Sequence, residues 1–382
     1  MQLDFHYYAT YCAAILAGYS HLESVDISYS SQFVDCCTKT FLKKIGGPQS
    51  AATTQSQAEL INARTDLLGL QDITRIWSSF HFLPRDLKAQ CRGGLRYKNK
   101  YRLICGPNGD LLTETVILAK DQSLQAIGLV MHILADTWAH TYFAGTPSLV
   151  INNTNAFFYE VIKEEGQPID RLVTFKHNPG MEDDLEQSIY VNSVYQAYEN
   201  TVMNLGHGRA GHLPDYSFIT YKYLPAWGDY GELCKENPSD YFKAFCQMVY
   251  TLRYFRAEYH TFERNRYDYD IVSPIEEKIH DILEKRQLDA SLDWKRLGES
   301  LSGHTIPDFD QRSYESEYLQ AENSLKDETF LGRFFMAALK QKSMVTNRIF
   351  LSGNILAGFS VDLKKEGFRG IKDFARLIKT SL

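Results

Sequence analysis

The sequence predicts an all-α fold, a multi-helix bundle around one buried helix with a single small β-hairpin inserted. Two observations support this prediction. Apolar residues recur at intervals of three and four along most of the chain, as in FHYYATYCAAILAGYS (residues 5–20). The segment from about Leu111 to Phe143 is apolar on nearly every face, which is typical of a helix enclosed by other helices.

The N-terminal part is expected to form two helices. The first ends near Gly18, and the second follows in VDISYSSQFVDCCTKTFLKKIGG (residues 25–47), with Asp35 inside it. Lysines followed by Gly46 and Gly47 are typical of a helix C-terminus, because lysine favours the negative end of the helix dipole and glycine adopts the left-handed cap.

The hairpin is predicted in CRGGLRYKNKYRLICGPNG (residues 91–109), which is basic, aromatic and closed by a turn sequence. Further helices are predicted at 155–165, 178–205 and 241–262, and charged amphipathic helices from Ser273 onward. Histidines and aromatic residues are dense up to Asp268, whereas Lys and Glu dominate beyond it. We therefore predict a helical domain at 1–268 and a C-terminal helical extension at 269–382.

Composition restricts the classes of function. Among the 382 residues, 41 Lys and Arg stand against 47 Asp and Glu, so a net charge of -6 does not favour nucleic acid as a partner. The seven cysteines form no C-x-x-C pair, which fits reduced thiols. Neither a signal peptide nor a run of 18 apolar residues is recognisable, so we expect a cytoplasmic protein, with export by a non-classical route left open.

One polar stripe crosses the apolar central helix. In MHILADTWAH, residues His132, Asp136 and His140 lie four positions apart, so a helix places them on one face. Burying two imidazoles and a carboxylate costs several kcal/mol unless each finds a partner. A divalent cation would provide one, since His nitrogen and carboxylate oxygen are usual zinc ligands. A hydrogen-bonded network is the alternative.

Other residues in the first two thirds of the chain could join this stripe. His6 lies on the first predicted helix, Asp35 on the second, and His81 shortly before a proline. His207 and His212 follow in the glycine-rich GHGRAGHLPD, together with Arg209. Together they could supply more than one metal site.

The order of these residues resembles the all-helical superfamily of zinc-dependent phospholipases C and single-strand-specific nucleases. His6 in FHYYATYCAAILAGY, Asp35 in QFVD, His81 in SSFHFLP and His132 with Asp136 in HILAD match that family's ligands in order, and His140 stands where the next ligand is expected. The similarity covers roughly residues 4–215. The blocks DFHYY, FHFLP, ADTWAH and GHGRAGHLPD also look like an uncharacterised bacterial protein group.

The resemblance implies two to three zinc ions. Asp136 would bridge toward His6, and Asp35 would also serve as general base. His140 and His207, with His212 or Asp215, would hold the outermost ion. The family's N-terminal Trp and the Gln-Pro before its next His have no counterpart here, so Asp4 is predicted to replace the terminal ligand.

The expected activity is zinc-dependent hydrolysis of a phosphoester, either a phospholipid or a nucleotide-type substrate, through a metal-activated water. Arg209 would contact the phosphate. The alternative is a metal-stabilised structural or interaction protein without turnover. A phosphohydrolase of the histidine–aspartate type ranks lower, because the chain lacks its contiguous His-Asp doublet.

Overall fold

The computed structural model describes residues 1–63, 66–178, 180–192 and 208–358. The chain begins with a π-helical segment, Asp4–Ala9, which continues as α1 (Thr10–Leu16). The next helices are α2 (His21–Phe33), α3 (Lys39–Ile45), α4 (Gln57–Ala63), α5 (Leu67–Phe80), α6 (Leu95–Tyr101), α7 (Asp110–Ala119), α8 (Leu124–Ala139) and α9 (Leu149–Asn152).

Six strands occupy the middle of the described chain. They are β1 (Thr154–Glu164), β2 (Gln167–Leu172), β3 (Thr174–Lys176), β4 (Ile189–Val191), β5 (Thr220–Pro225) and β6 (Leu233–Glu236). The helices that follow are α10 (Asn237–Phe255), α11 (Tyr269–Val272), α12 (Glu276–Glu284), α13 (Ser291–Ser302), α14 (Glu315–Gln320) and α15 (Phe330–Leu351).

The all-α prediction is wrong, because a four-stranded antiparallel sheet in the order β2-β1-β5-β6 and a parallel pair, β3 and β4, accompany the helices. The predicted helix at 155–165 lies almost wholly in β1. Its buried positions alternate, but one of them is Glu160. A charged residue at an inward position hides the period of two that would indicate a strand.

The predicted hairpin at 91–109 is also wrong. A helix, α6, occupies its middle, and Cys105 pairs with Pro84 instead of with residues of the same segment. The predicted helix at 178–205 is wrong over its described part, which contains β4 and turns. The predicted helix at 241–262 is confirmed over α10, which ends at Phe255.

The long central helix is two helices. α7 ends at Ala119, Asp121 adopts a left-handed conformation (φ 61°), and the Ser123 side chain caps α8 by accepting from the Ala126 amide. Asp35 also differs from the prediction: it lies in the turn after α2, because that helix ends at Phe33.

α8 forms the centre of the core, since every residue from Gln125 to Ala139 is buried. α2 crosses it at close range over Gly128, where a Cβ atom would lie 2.2 Å from the Ile27 carbonyl oxygen. α5, α7, α10 and α15 pack around the remaining faces. One hydrophobic cluster runs from Met1 to Ala357, so helices from both sides of residue 268 share it, and the predicted boundary stays a prediction.

Among the described residues, no helix is both long and apolar enough to cross a membrane.

Glu160 is the charged anchor of the sheet. It is buried, and its carboxylate accepts from the Ser188 hydroxyl (2.8 Å) and from the Arg171 guanidinium (3.1 Å), and it also pairs with Arg286. Burial alone would raise its pKa, but the hydrogen bonds from Arg286 and Ser188 outweigh burial and hold the pKa below its usual value.

We expect Glu160→Gln to lower the free energy of unfolding at pH 7 by about 3 kcal/mol, because two guanidinium groups lose a buried partner. A carboxyl with a depressed folded pKa stabilises above its unfolded pKa, about 4.3, and loses this contribution as pH falls through the folded value. The difference in free energy of unfolding between wild type and Glu160→Gln should therefore become smaller below about pH 4, as measured by urea unfolding. Asp170→Asn, at an exposed ion pair on β2, is the control and should change stability by under about 0.5 kcal/mol. A difference in free energy of unfolding that does not change with pH would contradict a stabilising role of the ionised Glu160 carboxylate.

Candidate metal centre

The Asp136 carboxylate lies at the centre of the polar cluster. α8 presents His132 and Asp136 one turn apart, and His132 Nε2 is 3.1 Å from Asp136 Oδ2. His81 Nδ1 lies 3.2 Å from the same oxygen and 3.2 Å from His132 Nε2. All three side chains are almost completely buried. Two imidazole nitrogens and one carboxylate oxygen therefore face a common point.

His81 is held in a definite orientation. It caps the C-terminus of α5, and its Nε2 donates to the Thr53 carbonyl oxygen at 3.1 Å. With the proton of a neutral ring on Nε2, the lone pair of Nδ1 is directed at the cluster. A histidine oriented in this way by a backbone carbonyl is a common arrangement for metal ligands.

His6 approaches from the π-helical segment. Its ring stacks on that of His132 with centroids 3.8 Å apart, and its Nε2 is 3.2 Å from Asp136 Oδ1. Among the described residues, neither ring nitrogen of His6 has a hydrogen-bond partner of suitable geometry. Burial, with a contribution from His132, lowers the His6 pKa to about 4, so the ring is neutral at pH 7. A neutral imidazole has a lone pair for a cation.

Asp35 borders the cluster on the solvent side. Its Oδ1 is 3.8 Å from His81 Nδ1 and 3.9 Å from His132 Nε2, and 34% of its side-chain surface is exposed. The turn that follows α2 places the carboxylate here. Asp35 is thus the member of the cluster that water and solutes reach.

A second layer adjoins this cluster. His140 donates from Nδ1 to the His81 carbonyl oxygen at 2.8 Å, and its Nε2 is 3.4 Å from Asp215 Oδ1. The Met1 amino group lies between two carboxylates, 3.2 Å from Asp136 Oδ1 and 3.0 Å from Asp215 Oδ1. The cluster therefore combines three carboxylates with an amino group and four imidazoles.

Electrostatics favour the ionised form of Asp136. Burial would raise the pKa of this carboxyl, but its electrostatic interactions with the surrounding groups, first His140 and the Met1 amino group, hold it well below its usual range. Burial would lower the pKa of the Met1 amino group, yet the charges of Asp136 and Asp215 raise it to about 11. The centre thus has a carboxylate that favours the ionised form, among an amino group and imidazoles that offer positive charge or lone pairs.

The remaining predicted residues lie apart from these contacts. Asp4 accepts hydrogen bonds from the Phe5 and Ala290 amides, and burial raises its pKa to about 6. His212 donates from Nδ1 to Asp183 Oδ2 at 2.8 Å. The Arg209 carbonyl oxygen accepts from Asn192. His207 lies outside the described residues, and the predicted metal roles of these side chains stay predictions.

A family model matches residues 1–349, and its description is a family of unknown function, DUF6765. The chain belongs to the DUF6765 family. No curated protein and no solved structure matches it.

Among the described residues of this DUF6765 chain, two groups of side chains could hold a metal ion: one contains His81, His132 and Asp136, and the other His6, Asp35 and His132. Zinc binds nitrogen and oxygen at about 2.0–2.1 Å, so ligands at the corners of a tetrahedron lie roughly 3.3 Å apart. The separations of 3.1–3.2 Å within the first group are close to this value. The donor types and their spacing both fit a divalent cation.

Two functional neighbours were not predicted from the sequence. Thr53 contributes a backbone carbonyl, which no residue type indicates. Asp183 binds His212 from 29 positions earlier in the chain, and only the packing of β4 against the 208–217 turn brings them together. No local motif of the sequence could have found either residue.

Proposed function

We propose that this chain is a zinc-dependent phosphoester hydrolase. One observation carries the proposal: side chains from four separate parts of the chain come together, with His6, His81 and His132 around the buried Asp136 carboxylate and Asp35 beside His81 and His132 on the solvent side. A hydrogen-bonded network accounts for this convergence less well, because among the described residues it leaves Nδ1 of both His6 and His132 without a partner, and the contact of His6 Nε2 with Asp136 Oδ1 lacks hydrogen-bond geometry.

The contacts support two adjacent cation positions that share Asp136. Its Oδ2 faces His81 and His132, and its Oδ1 faces His6. Asp35 would contribute from the solvent side, since its Oδ1 lies 3.8 Å from His81 Nδ1 and 3.9 Å from His132 Nε2 and it also forms a donor group with His6 and His132. A carboxylate that bridges two ions is a common arrangement in two-metal hydrolytic sites, where both the attacking and the leaving oxygen need stabilisation.

Bound zinc would supply Lewis acidity toward the phosphoryl oxygens and would bring the pKa of a coordinated water close to neutrality. The protein residues accept the proton, position the donors and bind the phosphate. Asp35 Oδ1, the accessible carboxylate oxygen, accepts the proton of the attacking water. His81, fixed by Thr53, and His132, fixed by the buried α8, keep the donors in place. Arg209, on the turn that also carries Asp215, contacts a phosphate oxygen.

The resemblance to the phospholipase C and nuclease superfamily rests on the same residues, now with their contacts. We infer a small phosphodiester with a lipid or nucleoside substituent as the substrate. The net charge of -6 argues against long nucleic acids. The exposed Asp35 argues against a closed structural site, in which protein ligands occupy all coordination positions.

The test begins with metal content. Protein produced with added zinc should contain at least one equivalent by elemental analysis, and His132→Ala should lose it because this ring belongs to both donor groups. His280→Ala is the control: that ring lies on α12, packs on Phe242 and, among the described residues, forms its ion pairs with glutamates of the same helix. Less than one equivalent in the wild type would overturn the proposal. Full metal content without hydrolysis of any phosphodiester would favour the structural alternative.

A further inference from the structure

Asp183 and His212 form a pair apart from the donors that contact Asp136. The Asp183 side chain is buried, and it accepts from the Val191 amide (2.6 Å), from His212 Nδ1 (2.8 Å) and from the Tyr216 hydroxyl (2.7 Å). In contrast, 47% of the His212 side-chain surface is exposed. A buried carboxylate that binds Nδ1 fixes the tautomer and leaves Nε2 as the nitrogen that can meet a solute.

The turn that carries His212 is anchored to the core. The Asn237 side-chain amide donates to the Leu213 and Tyr216 carbonyl oxygens, both at 2.8 Å, and the Tyr241 hydroxyl donates to the Pro214 carbonyl oxygen at 3.0 Å. All three anchoring contacts are buried. The position of the His212 ring is therefore set before any ligand arrives, as catalysis requires.

The same turn borders the metal centre. The Asp215 amide donates to the His212 carbonyl oxygen at 2.9 Å, so the two residues lie on one tight turn of the chain. Asp215 Oδ1 is in turn 3.4 Å from His140 Nε2. His212 thus stands at the edge of the centre, with Asp215 and His140 between it and Asp136.

We propose that His212 is the general acid of the phosphoester hydrolysis and that Asp183 is its positioning residue. This role rests on the proposed function. As the water oxygen bonds to phosphorus, Asp35 accepts the water proton and the bond from phosphorus to the leaving oxygen breaks. The proton on His212 Nε2 passes to that oxygen, and the product leaves as an alcohol. The proton on Asp35 returns to His212 through solvent, which restores both groups.

The contact with Asp183 favours the protonated form of the His212 ring. The hydrogen bond to Asp183 raises the His212 pKa against the opposing effect of burial, and the charge of Asp215 adds to the rise. A general acid works best with a pKa near the working pH. An aspartate also orients many metal-bound histidines, so the experiment has to separate an acid from a ligand.

Leaving-group dependence separates the two roles. His212→Gln and Asp183→Asn would be assayed as zinc-loaded full chains on diphenyl phosphate, whose leaving group needs a proton, and on bis(4-nitrophenyl) phosphate, whose leaving group does not. We expect kcat/KM on diphenyl phosphate to fall about 10²–10⁴-fold in His212→Gln, and on the nitrophenyl ester about threefold or less. Asp183→Asn should lose less kcat/KM than His212→Gln, again more on diphenyl phosphate than on the nitrophenyl ester. His280→Gln should keep kcat/KM on both esters.

Two further measurements do not depend on turnover. Zinc content should be unchanged in both variants. An NMR titration should place the His212 pKa above the ordinary 6.5 in the wild type and lower it in Asp183→Asn. Loss of zinc in His212→Gln would identify a ligand and overturn the proposal, as would equal losses on both esters. If the zinc-loaded wild type hydrolysed neither ester, this result would contradict the proposed function and therefore also the role of His212.

Discussion

Asp136→Asn is expected to abolish hydrolysis and metal binding together. Both oxygens of this carboxylate face donors, Oδ1 toward His6 and Oδ2 toward His81 and His132, so an amide removes the negative charge from both proposed positions at once. Metal-ion stabilisation of a phosphoryl transition state is worth several kcal/mol, and each 1.4 kcal/mol corresponds to about a factor of ten. We therefore expect kcat/KM to fall by at least about 10³-fold.

The measurement combines elemental analysis with phosphodiesterase assays on protein dialysed against buffered zinc. Asp121→Asn is the matched control: this exposed residue lies just before α8 and has a left-handed backbone that asparagine tolerates. It should keep both zinc and activity. Circular dichroism would establish that Asp136→Asn is folded. If the folded variant kept a full complement of zinc, Asp136 would not be the shared ligand.

The central stripe was predictable because helical spacing is a local property. His132, Asp136 and His140 lie on one face of any helix, and the cost of burying them in an apolar segment indicates a partner. The resemblance in residue order predicted that His6, Asp35 and His81 lie close to this stripe. The contacts among the described residues place four of the other five beside Asp136, and Asp35 next to His81 and His132.

The sheet was missed for the opposite reason. A strand is recognised by alternation, and β1 interrupts its alternation with Glu160, whose partners Arg171 and Arg286 come from β2 and from the loop after α12. The charge is compatible with an inward position only because of these distant partners. Similarly, the pairing of Asp183 with His212 depends on long-range packing, which spacing along a chain does not reveal.

Asp35→Asn should separate catalysis from metal binding. The three donors at 3.1–3.2 Å, from His81, His132 and Asp136, remain in this variant, and an amide oxygen can still face the first position. An amide does not accept the proton of the attacking water, however. We expect zinc content to stay within about 30% of wild type while kcat falls about 10²–10⁴-fold, the usual worth of a positioned general base.

Asp35→Glu provides the comparison, because it restores a proton acceptor that is displaced by one methylene on an exposed side chain. Asp35→Glu should recover part of the kcat that Asp35→Asn loses. If Asp35 had only a structural role, restoring the carboxylate would not raise kcat. The ratio of kcat to zinc content is the decisive quantity. If kcat fell only in proportion to zinc in Asp35→Asn, the side chain would be an ordinary ligand. The proton acceptor would then have to be a different group at the solvent side of the centre.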